Sequence, residues 1–275
     1  MNEFFHVMSL PFLTCLILAG IHAYLGLHVI ERQVIFVDLA LAQIAALGAS
    51  FALIFGYSMD SAHSYWMSLG FTIAGAAIFS LTRFKKQRIP QEAIIGITYA
   101  VSAALLILIL SRSGEGDEHI KQALVGNILL IRMPEVLKVL IIYSLIGLFH
   151  YIFRKNFLLI SQAPEEAYRK GLNVRFWDFL FYASFGFVVT SSVKIAGVLL
   201  VFSFLVVPSA AAILFSNDTR KRLILGWAIG FAASVLGMAL SYYLDFPTGA
   251  SVVCVFGLIL VVLAVIKRLF TILTT

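Results

Sequence analysis

The sequence predicts an all-α fold, a polytopic bundle of about eight to nine transmembrane helices forming a single domain over residues 1–275. Hydrophobic residues make up 61% of the 275 positions and charged residues only 12%, a composition far from that of soluble globular domains. The apolar residues fall into runs of about 20, the length of helix that crosses a bilayer. These runs are continuous rather than alternating, which argues against a transmembrane β-barrel.

Nine apolar segments can be delimited along the chain. They are 7–29, 33–57, 64–82, 91–112, 134–153, 176–192, 195–215, 223–243 and 250–267. Lys and Arg cluster after segments one, three, five, seven and nine. Because cytoplasmic loops carry the excess of basic residues, the N-terminus is predicted outside and the C-terminus in the cytoplasm. The net charge of +6 is spread over these loops, so it indicates membrane orientation rather than a nucleic-acid partner.

The loop between segments four and five is predicted to lie on the outer surface, because residues 113–134 are amphipathic. It contains the acidic residues Glu115, Asp117 and Glu118. These residues form either a solvated tip or a docking surface for an external protein.

Segments six and seven are predicted to be broken. The connection at 190–197 is too short and too apolar for an ordinary loop, and Pro208 is expected to interrupt segment seven before the small residues Ser209–Ala212. Non-helical backbone at membrane depth is tolerated only where it is buried in protein or lines a cavity. Lys194 lies beside the break, where it either snorkels to the outer interface or contributes to a pathway.

A polar stretch, Ala163–Arg175, interrupts the apolar segments on the predicted cytoplasmic side. Pro164 can open a helix there, Glu165 and Glu166 suit the positive end of the helix dipole, and Gly171 supplies a left-handed stop. A helix of about two turns is unstable alone in water, so it must lie on another surface. The alternatives are a solvated loop with one helical turn, or a helix at the membrane surface docked into a groove on a soluble partner.

Ionisable residues inside predicted spans are functional candidates, because their burial in lipid is unfavourable. The first hairpin turns near Arg32. His22 lies about ten residues before this turn and Gln43 about eleven after it, so both lie about 15 Å deep, near the bilayer midplane. His28 and Asp38 form a second pair, level with each other about 5 to 10 Å from the cytoplasmic end.

These four residues are candidate metal ligands. Imidazole and carboxylate groups suit divalent transition metals, and an amide oxygen can assist. However, Asp38 and Gln43 are five residues apart, about 140° around a helix, so they cannot easily share one ligand face. The alternative is that the side chains form hydrogen bonds between helices and bind no ion.

Common catalytic motifs are absent from the sequence. It contains no G-x-x-x-x-G-K-[ST] phosphate loop, so the chain has no P-loop ATPase of its own. Neither H-E-x-x-H nor G-x-S-x-G occurs, so the common hydrolase signatures do not support an intramembrane enzyme.

Along most of its length the chain resembles the membrane permease of the bacterial zinc, manganese and iron ABC importers. The best-matching stretches are Lys194–Val201 with Val207–Ala212, Asp245–Val253, and Ala163–Gly171, which is similar to that family's A-x-x-x-G coupling segment. Their order along the chain and the predicted topology agree with the family.

The resemblance implies a homodimeric permease in the bacterial inner membrane, surrounded by lipid, with the type II fold of vitamin B12 importers. A separate pair of ATPase subunits would bind ATP and contact the coupling helix, and an external solute-binding protein would deliver the metal. No cofactor would be bound permanently, and the metal would be cargo. The implied contact residues for the ATPase are Pro164, Glu165, Ala167 and Gly171.

The resemblance also bears on the predicted break between segments six and seven. Lys194, Pro208 and Ser209 would approach the twofold axis of the dimer and contribute to the pathway or the dimer interface.

One motif departs from the family. Its members place an Asp and a His four residues apart on the second segment, in a pattern like G-D-x-L-A-H-A-x-L-x-G. Aligned on Gly48, this chain has Leu39 and Gln43 at those positions, and Asp38 is displaced by one. Either His22 and Asp38 replace the usual ligands, or the cargo is not an ordinary zinc or manganese ion.

The predicted function is therefore import of a divalent metal ion or a metal chelate by alternating access, driven by a separate ATPase subunit. The alternative is a secondary transporter or channel for a cation or small polar solute that needs no ATPase. An intramembrane enzyme would need acid and base residues clustered at one depth, and the sequence offers few.

Overall fold

The computed structural model describes residues 2–58, 61–83, 89–111 and 124–274, and throughout these ranges the regular structure is helical, as the sequence predicts. The α-helices are α1 (Asn2–Glu31), α2 (Val37–Ile54), α3 (Ala62–Leu81), α4 (Gln91–Leu110), α5 (Met133–Ile152), α6 (Arg154–Gln162), α7 (Pro164–Arg169), α8 (Val174–Phe215), α9 (Thr219–Leu244) and α10 (Thr248–Thr274). A 3-10 turn, Ile128–Leu130, precedes α5. The acidic group at 115–118 lies outside the described residues, so its role stays a prediction.

Eight of the described helices are long and apolar enough to cross a membrane. They are α1 to α5, α8, α9 and α10. The prediction of an all-α polytopic bundle with about eight to nine spans is therefore confirmed. By contrast, α6 contains 9 residues and α7 contains 6, too few to cross a bilayer.

Helix α8 contains the predicted break. At 42 residues a straight helix would be about 63 Å long, about twice the hydrocarbon thickness of a bilayer. Gly197 divides it, with φ 75° and ψ 160°, a conformation that glycine almost alone adopts. The stretches on either side of Gly197 correspond to predicted segments six and seven. The predicted interruption at Pro208 is wrong: α8 continues through it to Phe215, since neighbouring groups in a membrane bundle can compensate for the lost backbone hydrogen bond.

Contacts within the chain define two compact units. The first unit contains Met1–Ile30, Val125–Ser144 and Ile195–Thr275, and the second contains Glu31–Leu124 and Leu145–Lys194. Each unit therefore joins segments that are far apart in the sequence. The expectation of a single domain over residues 1–275 stays a prediction.

In the first unit, small residues allow α1 to approach the second half of α8 closely, as is typical of membrane helices. Gly26 has so little space that an added Cβ would overlap the carbonyl oxygen of Leu205 and the hydroxyl of Ser209. The Ser209 hydroxyl donates a hydrogen bond to the Ala23 carbonyl oxygen over 3.1 Å. The contact is thus made backbone to backbone, with no room for a larger residue.

Gly26→Ala should destabilise this contact by roughly 1–3 kcal/mol, because a methyl group would push α1 away from the α8 backbone. The matched control is Gly20→Ala on the same helix, where an added Cβ meets nothing within 4 Å. Thermal unfolding in detergent measures both variants. Equal melting temperatures for the two would contradict the close approach at Gly26.

The loop before the 3-10 turn packs against the break in α8, also within the first unit. The Asn127 N–H donates a hydrogen bond to the Ile195 carbonyl oxygen over 3.3 Å, which supplies a partner close to the point where Gly197 interrupts the helix. Gly126 has a φ of 65°, and a side chain there would overlap the backbone of Ala196 and Gly197. The broken backbone is thus covered by protein, as the low-dielectric environment requires.

In the second unit, α2 packs closely against α3. The Ser68 hydroxyl donates a hydrogen bond to the Ala45 carbonyl oxygen over 2.8 Å. Gly48 lies against the backbone of Met67 and Ser68, and an added Cβ would come within 2.8 Å of it. This contact holds α2, which carries Asp38, in a defined register against α3.

Candidate coupling segment and cargo site

The polar stretch forms the short helix that the sequence predicts. Pro164 occupies the first turn of α7, and Glu165 lies beside it at the positive end of the helix dipole. Gly171 follows with a φ of 74°. The Leu172 N–H donates a hydrogen bond to the Ala167 carbonyl oxygen over 3.1 Å, the bond that closes a Schellman ending. The predicted start and left-handed stop are both present.

Helix α7 lies on its own chain. The Ala167 side chain is fully buried against Ile160 of α6 and Val174 of α8, with Trp177 packed at the edge of the cluster. This apolar contact supplies the surface that a helix of this length needs. The role of Ala167 in a partner contact stays a prediction; its methyl group faces the interior of the second unit, so the opposite side of α7 is the side open to a partner.

That opposite side is polar. Glu165 is exposed, and Glu166 forms an exposed ion pair with Lys170 over 2.7 Å. The hydrogen bond from Lys170 and its positive charge hold the pKa of Glu166 below its ordinary value. In the first turn of α8, Phe176 is 52% exposed. The exposed side of α7 therefore carries charges of both signs.

A buried charge network in the second unit contacts both α6 and α8. Asp178 of α8 accepts hydrogen bonds from two guanidinium groups, Arg32 Nη1 at 2.6 Å and Arg83 Nη1 at 2.7 Å. Arg32 Nε also donates to the Ser161 hydroxyl at 2.8 Å, and its guanidinium carbon lies 3.9 Å from the centre of the Phe181 ring. The turn after α1 and the end of α3 therefore meet α8 at one carboxylate, and α6 joins the network through Arg32.

The two arginines experience different environments. Burial lowers the pKa of Arg32 below its ordinary value, although Asp178 acts in the opposite direction. Burial also acts to lower the pKa of Arg83, but the Asp178 carboxylate outweighs it and the pKa is raised. Both groups carry positive charge under physiological conditions. The network therefore holds two positive charges and one negative charge.

In the sequence, Arg32 and Arg83 stand out only as basic residues of the loops that orient the chain, so this network is not predicted. The available signal was Asp178, an acidic residue inside predicted segment six. An ionisable residue at such a position needs a partner. The positions of its partners, 146 and 95 residues away, could not be derived from local patterns.

Two predicted metal ligands lie on α1 in the first unit, and both are buried. His22 is fully buried; its Nδ1 lies 2.9 Å from the Leu18 carbonyl oxygen, and its ring meets Tyr143 edge to face. His28 is 2% exposed and packs edge to face with Tyr24. Neutral imidazole is the commonest metal ligand in proteins, and the hydrogen bond made by one ring nitrogen sets which of the two nitrogens can bind a metal.

The other two predicted ligands lie on α2 in the second unit. Asp38 is fully buried in the first turn of the helix. Among the residues that the structure describes, neither carboxylate oxygen has a hydrogen-bond partner. Gln43 is half-buried. A buried carboxylate without a partner is unfavourable, so Asp38 is the candidate with the strongest indication of a missing ligand.

In neither unit do three or more of the described His, Cys, Asp or Glu side chains lie close enough together to hold a metal ion. His22 and His28 belong to one unit, and Asp38 and Gln43 belong to the other. The metal site composed of these residues therefore stays a prediction.

The residues predicted at the pathway or dimer interface differ in exposure. Lys194 is exposed, whereas Pro208 and Ser209 are buried. The Ser209 hydroxyl is directed to α1 within the first unit. Their role between two copies of the chain stays a prediction.

The loop between α9 and α10, which carries one of the family-like stretches, lines a cavity in the first unit. The cavity has a volume of about 470 Å³, and its lining includes Asn127, Tyr242, Asp245 and Thr248. Asp245 ends α9 in the left-handed conformation, with φ 53°. This loop and the one that covers the α8 break therefore share one concave surface.

Comparisons with known proteins identify the family of the chain and proteins of similar fold. The model of the ABC 3 transport family matches residues 4–267. The chain is 31% identical over 199 residues to the manganese transport system membrane protein MntC of Listeria innocua, covering 70% of each chain. It is 26% identical over 205 residues to the chelated iron transport system membrane protein YfeD of Yersinia pestis, covering 72% of this chain and 69% of the relative. Its fold is similar to PsaBC from Streptococcus pneumoniae, solved with a Fab, with a TM-score of 0.78, 23% identity and coverage of 95% and 94%.

Proposed function

Because the chain belongs to the ABC 3 transport family, we propose that it is the permease of an importer for a divalent metal ion of the zinc, manganese and iron class. It is a multi-span protein of the inner membrane and a transport protein rather than an enzyme. ATP is hydrolysed by a separate subunit. The relatives named for manganese and for chelated iron support the metal class.

The observation that carries the cargo assignment is the buried Asp38 carboxylate without a hydrogen-bond partner among the described residues. A dication would supply the missing positive partner, and carboxylate oxygen suits all three metals. His22 would provide imidazole nitrogen, which favours zinc and iron over harder ions. Gln43 would assist His22 near the bilayer midplane, and His28 would assist Asp38 nearer the cytoplasmic end. No permanently bound cofactor is required, since the metal is the cargo.

The family implies two partner proteins, an ATPase subunit and a solute-binding protein. We assign the ATPase to the polar side of α7, with Pro164, Glu165 and Gly171 at or beside the contact. Ala167 would act indirectly, by holding α7 on α6 and α8. The permease would work as a homodimer surrounded by lipid, with Lys194, Pro208 and Ser209 toward the pathway or the dimer interface.

The basic loops support an orientation with the N-terminus outside and the C-terminus in the cytoplasm. That orientation needs an odd number of membrane crossings. The eight long apolar helices give nine crossings if the two halves of α8, divided at Gly197, each cross the membrane. It also puts α7 on the side where ATP is available.

The test is metal uptake by proteoliposomes that contain the permease with its ATPase subunit. Uptake of manganese, iron or zinc that needs ATP and the solute-binding protein would support the proposal, and competition among the three ions would rank them. Uptake by the permease alone would support the alternative, a secondary transporter or channel. If the complete transporter moves none of the three ions, the metal assignment is wrong.

Gly171→Val should uncouple ATP hydrolysis from transport. A β-branched residue in the left-handed region is strained by about 1–2 kcal/mol, so the end of α7 should shift while the membrane spans remain intact. The expected result is a normal amount of permease in the membrane with reduced stimulation of the partner ATPase.

Gly56→Val is the matched control for this variant. Gly56 has a φ of 81° and open space around it, as Gly171 has, but it follows α2 rather than α7. If both variants stimulate the ATPase like the unmodified permease, α7 does not couple the two subunits.

A further inference from the structure

Helix α7 is fixed to its neighbours by packing, so movement of α7 must move them too. Ala167 and Ile160 are fully buried and Val174 is 2% exposed, which leaves no space for α7 to slide alone. The backbone connections are equally short: one residue joins α6 to α7, and Gly171 with its neighbours joins α7 to α8. A force on the exposed side of α7 is therefore carried to α6 and to the first turns of α8.

Arg32 binds both of these neighbours at once. Its Nε donates to Ser161 of α6, and its Nη1 donates to Asp178 of α8. The flat guanidinium group also covers the ring of Phe181, one turn further along α8. Because its side chain is fully buried, these contacts are shielded from solvent and salt.

Arg32 is also close in sequence to Asp38, and the connection between them is short and constrained. Gln33 has a φ of 57°, the Val37 N–H donates to the Val34 carbonyl oxygen over 3.2 Å, and the Phe36 N–H donates to Glu92 over 2.9 Å. Such a tight turn transmits a shift of Arg32 to the first turn of α2, where Asp38 lies.

One donor of Arg32 lacks a hydrogen bond of normal geometry, which permits a second arrangement. Arg32 Nη2 is buried and completes no such bond among the described residues, although the Tyr182 hydroxyl interacts with the Arg32 guanidinium, and each oxygen of Asp178 is occupied by a different arginine. A small rotation of Asp178 or a shift of α6 could exchange one donor of Arg32 for another. Coupling between sites requires this kind of element with two discrete arrangements.

We propose that Arg32 is the positioning residue that links the ATPase-facing helix α7 to Asp38, through Ser161, Asp178 and the turn before α2. This role rests on the proposed function of the chain as a metal permease. Arg32 contacts neither metal nor ATPase. Movement of α6 and α8 changes its contacts, and the turn before α2 then shifts the carboxylate of Asp38 relative to the cargo.

The test compares Arg32→Lys with Arg154→Lys in the complete transporter, reconstituted with its ATPase and solute-binding protein. Lysine keeps the positive charge near Asp178 but loses the planar group that binds Ser161 and covers Phe181 at the same time. Arg154 is a matched control, because its guanidinium covers the Tyr151 ring at 4.4 Å and donates to the Tyr151 carbonyl oxygen, and neither contact involves Asp178. The measurement is the number of metal ions moved per ATP hydrolysed.

Arg32→Lys should lower this ratio about fivefold or more, the lower end of typical coupling between sites, while ATP hydrolysis continues and Arg154→Lys leaves the ratio unchanged. An unchanged ratio for Arg32→Lys would overturn the role. If Arg32→Lys does not accumulate in the membrane, Ser161→Ala decides, since it leaves Arg32 in place and removes the hydroxyl that accepts from Nε, together with that hydroxyl's hydrogen bond to the Phe157 carbonyl oxygen within α6. If Ser161→Ala lowers the ratio at least about twofold, the link is supported. If the ratio equals that of the unmodified transporter, the link is overturned.

The same experiment separates this inference from the proposed function. If the unmodified transporter moves none of the three metals, the proposed function fails and the role of Arg32 fails with it. If the unmodified transporter works and the variants remain coupled, only the role of Arg32 fails.

Discussion

Asp178→Asn should lower the free energy of unfolding by about 3–5 kcal/mol, the cost of removing one partner from a buried ion pair. The substitution removes the negative charge that two buried guanidinium groups share, Arg32 at 2.6 Å and Arg83 at 2.7 Å. Both arginines would then face each other without compensation. Because the network joins the turn after α1 to α3, α6 and α8, we expect low abundance in the membrane and a lower melting temperature in detergent.

Asp218→Asn is the control for this substitution. Asp218 is exposed and caps the N-terminus of α9 by accepting a hydrogen bond from the Lys221 N–H. Asparagine is an equally good N-cap, so the change in stability should stay within about 0.5 kcal/mol. If both variants melt at the same temperature, the network contributes nothing to stability.

Asp38→Asn should have the opposite pattern, with lost transport and no loss of stability. The Asp38 carboxylate is as deeply buried as that of Asp178, but its oxygens have no hydrogen-bond partner among the described residues. Replacing it with a neutral amide removes an unfavourable buried group and breaks no hydrogen bond to a described residue. Metal uptake should fall by about 100-fold, since even residues that only support a metal ligand contribute 10- to 100-fold.

The measurement is uptake by proteoliposomes at matched amounts of permease, together with the melting temperature of each variant. Asp218→Asn again serves as the control and should transport normally. Normal uptake by Asp38→Asn would show that this carboxylate does not bind the cargo. A lower melting temperature would indicate a structural partner for it.

The two buried aspartates illustrate how contacts separate a structural role from a transport role. Both are acidic residues near the start of a long apolar helix, and both are fully buried. Asp178 has a cation at each oxygen, whereas Asp38 has neither cation nor hydrogen-bond donor among the described residues. From the sequence, Asp38 is distinguished only by its depth in the first hairpin, and the role of Asp178 is not predicted.

The sequence by itself determined the features that depend on local composition and backbone chemistry. Apolar runs of bilayer length predict the spans, and eight long apolar helices are found where they predict them. Pro164, the acidic first turn and Gly171 predict the start and end of α7, because caps and left-handed glycines act within a few residues. The family resemblance likewise rests on short stretches and is confirmed by the match over residues 4–267.

Only the tertiary structure decided which residues meet across the chain. The carboxylate of Asp178 lies 146 residues from Arg32 and 95 from Arg83, and no periodicity in the sequence indicates which of 20 basic residues would reach it. The inward direction of Ala167 and the close approach at Gly26 likewise depend on the opposing helix. The physical reason is that desolvation and steric overlap depend on three-dimensional neighbours, whereas hydropathy and backbone conformation are properties of adjacent residues.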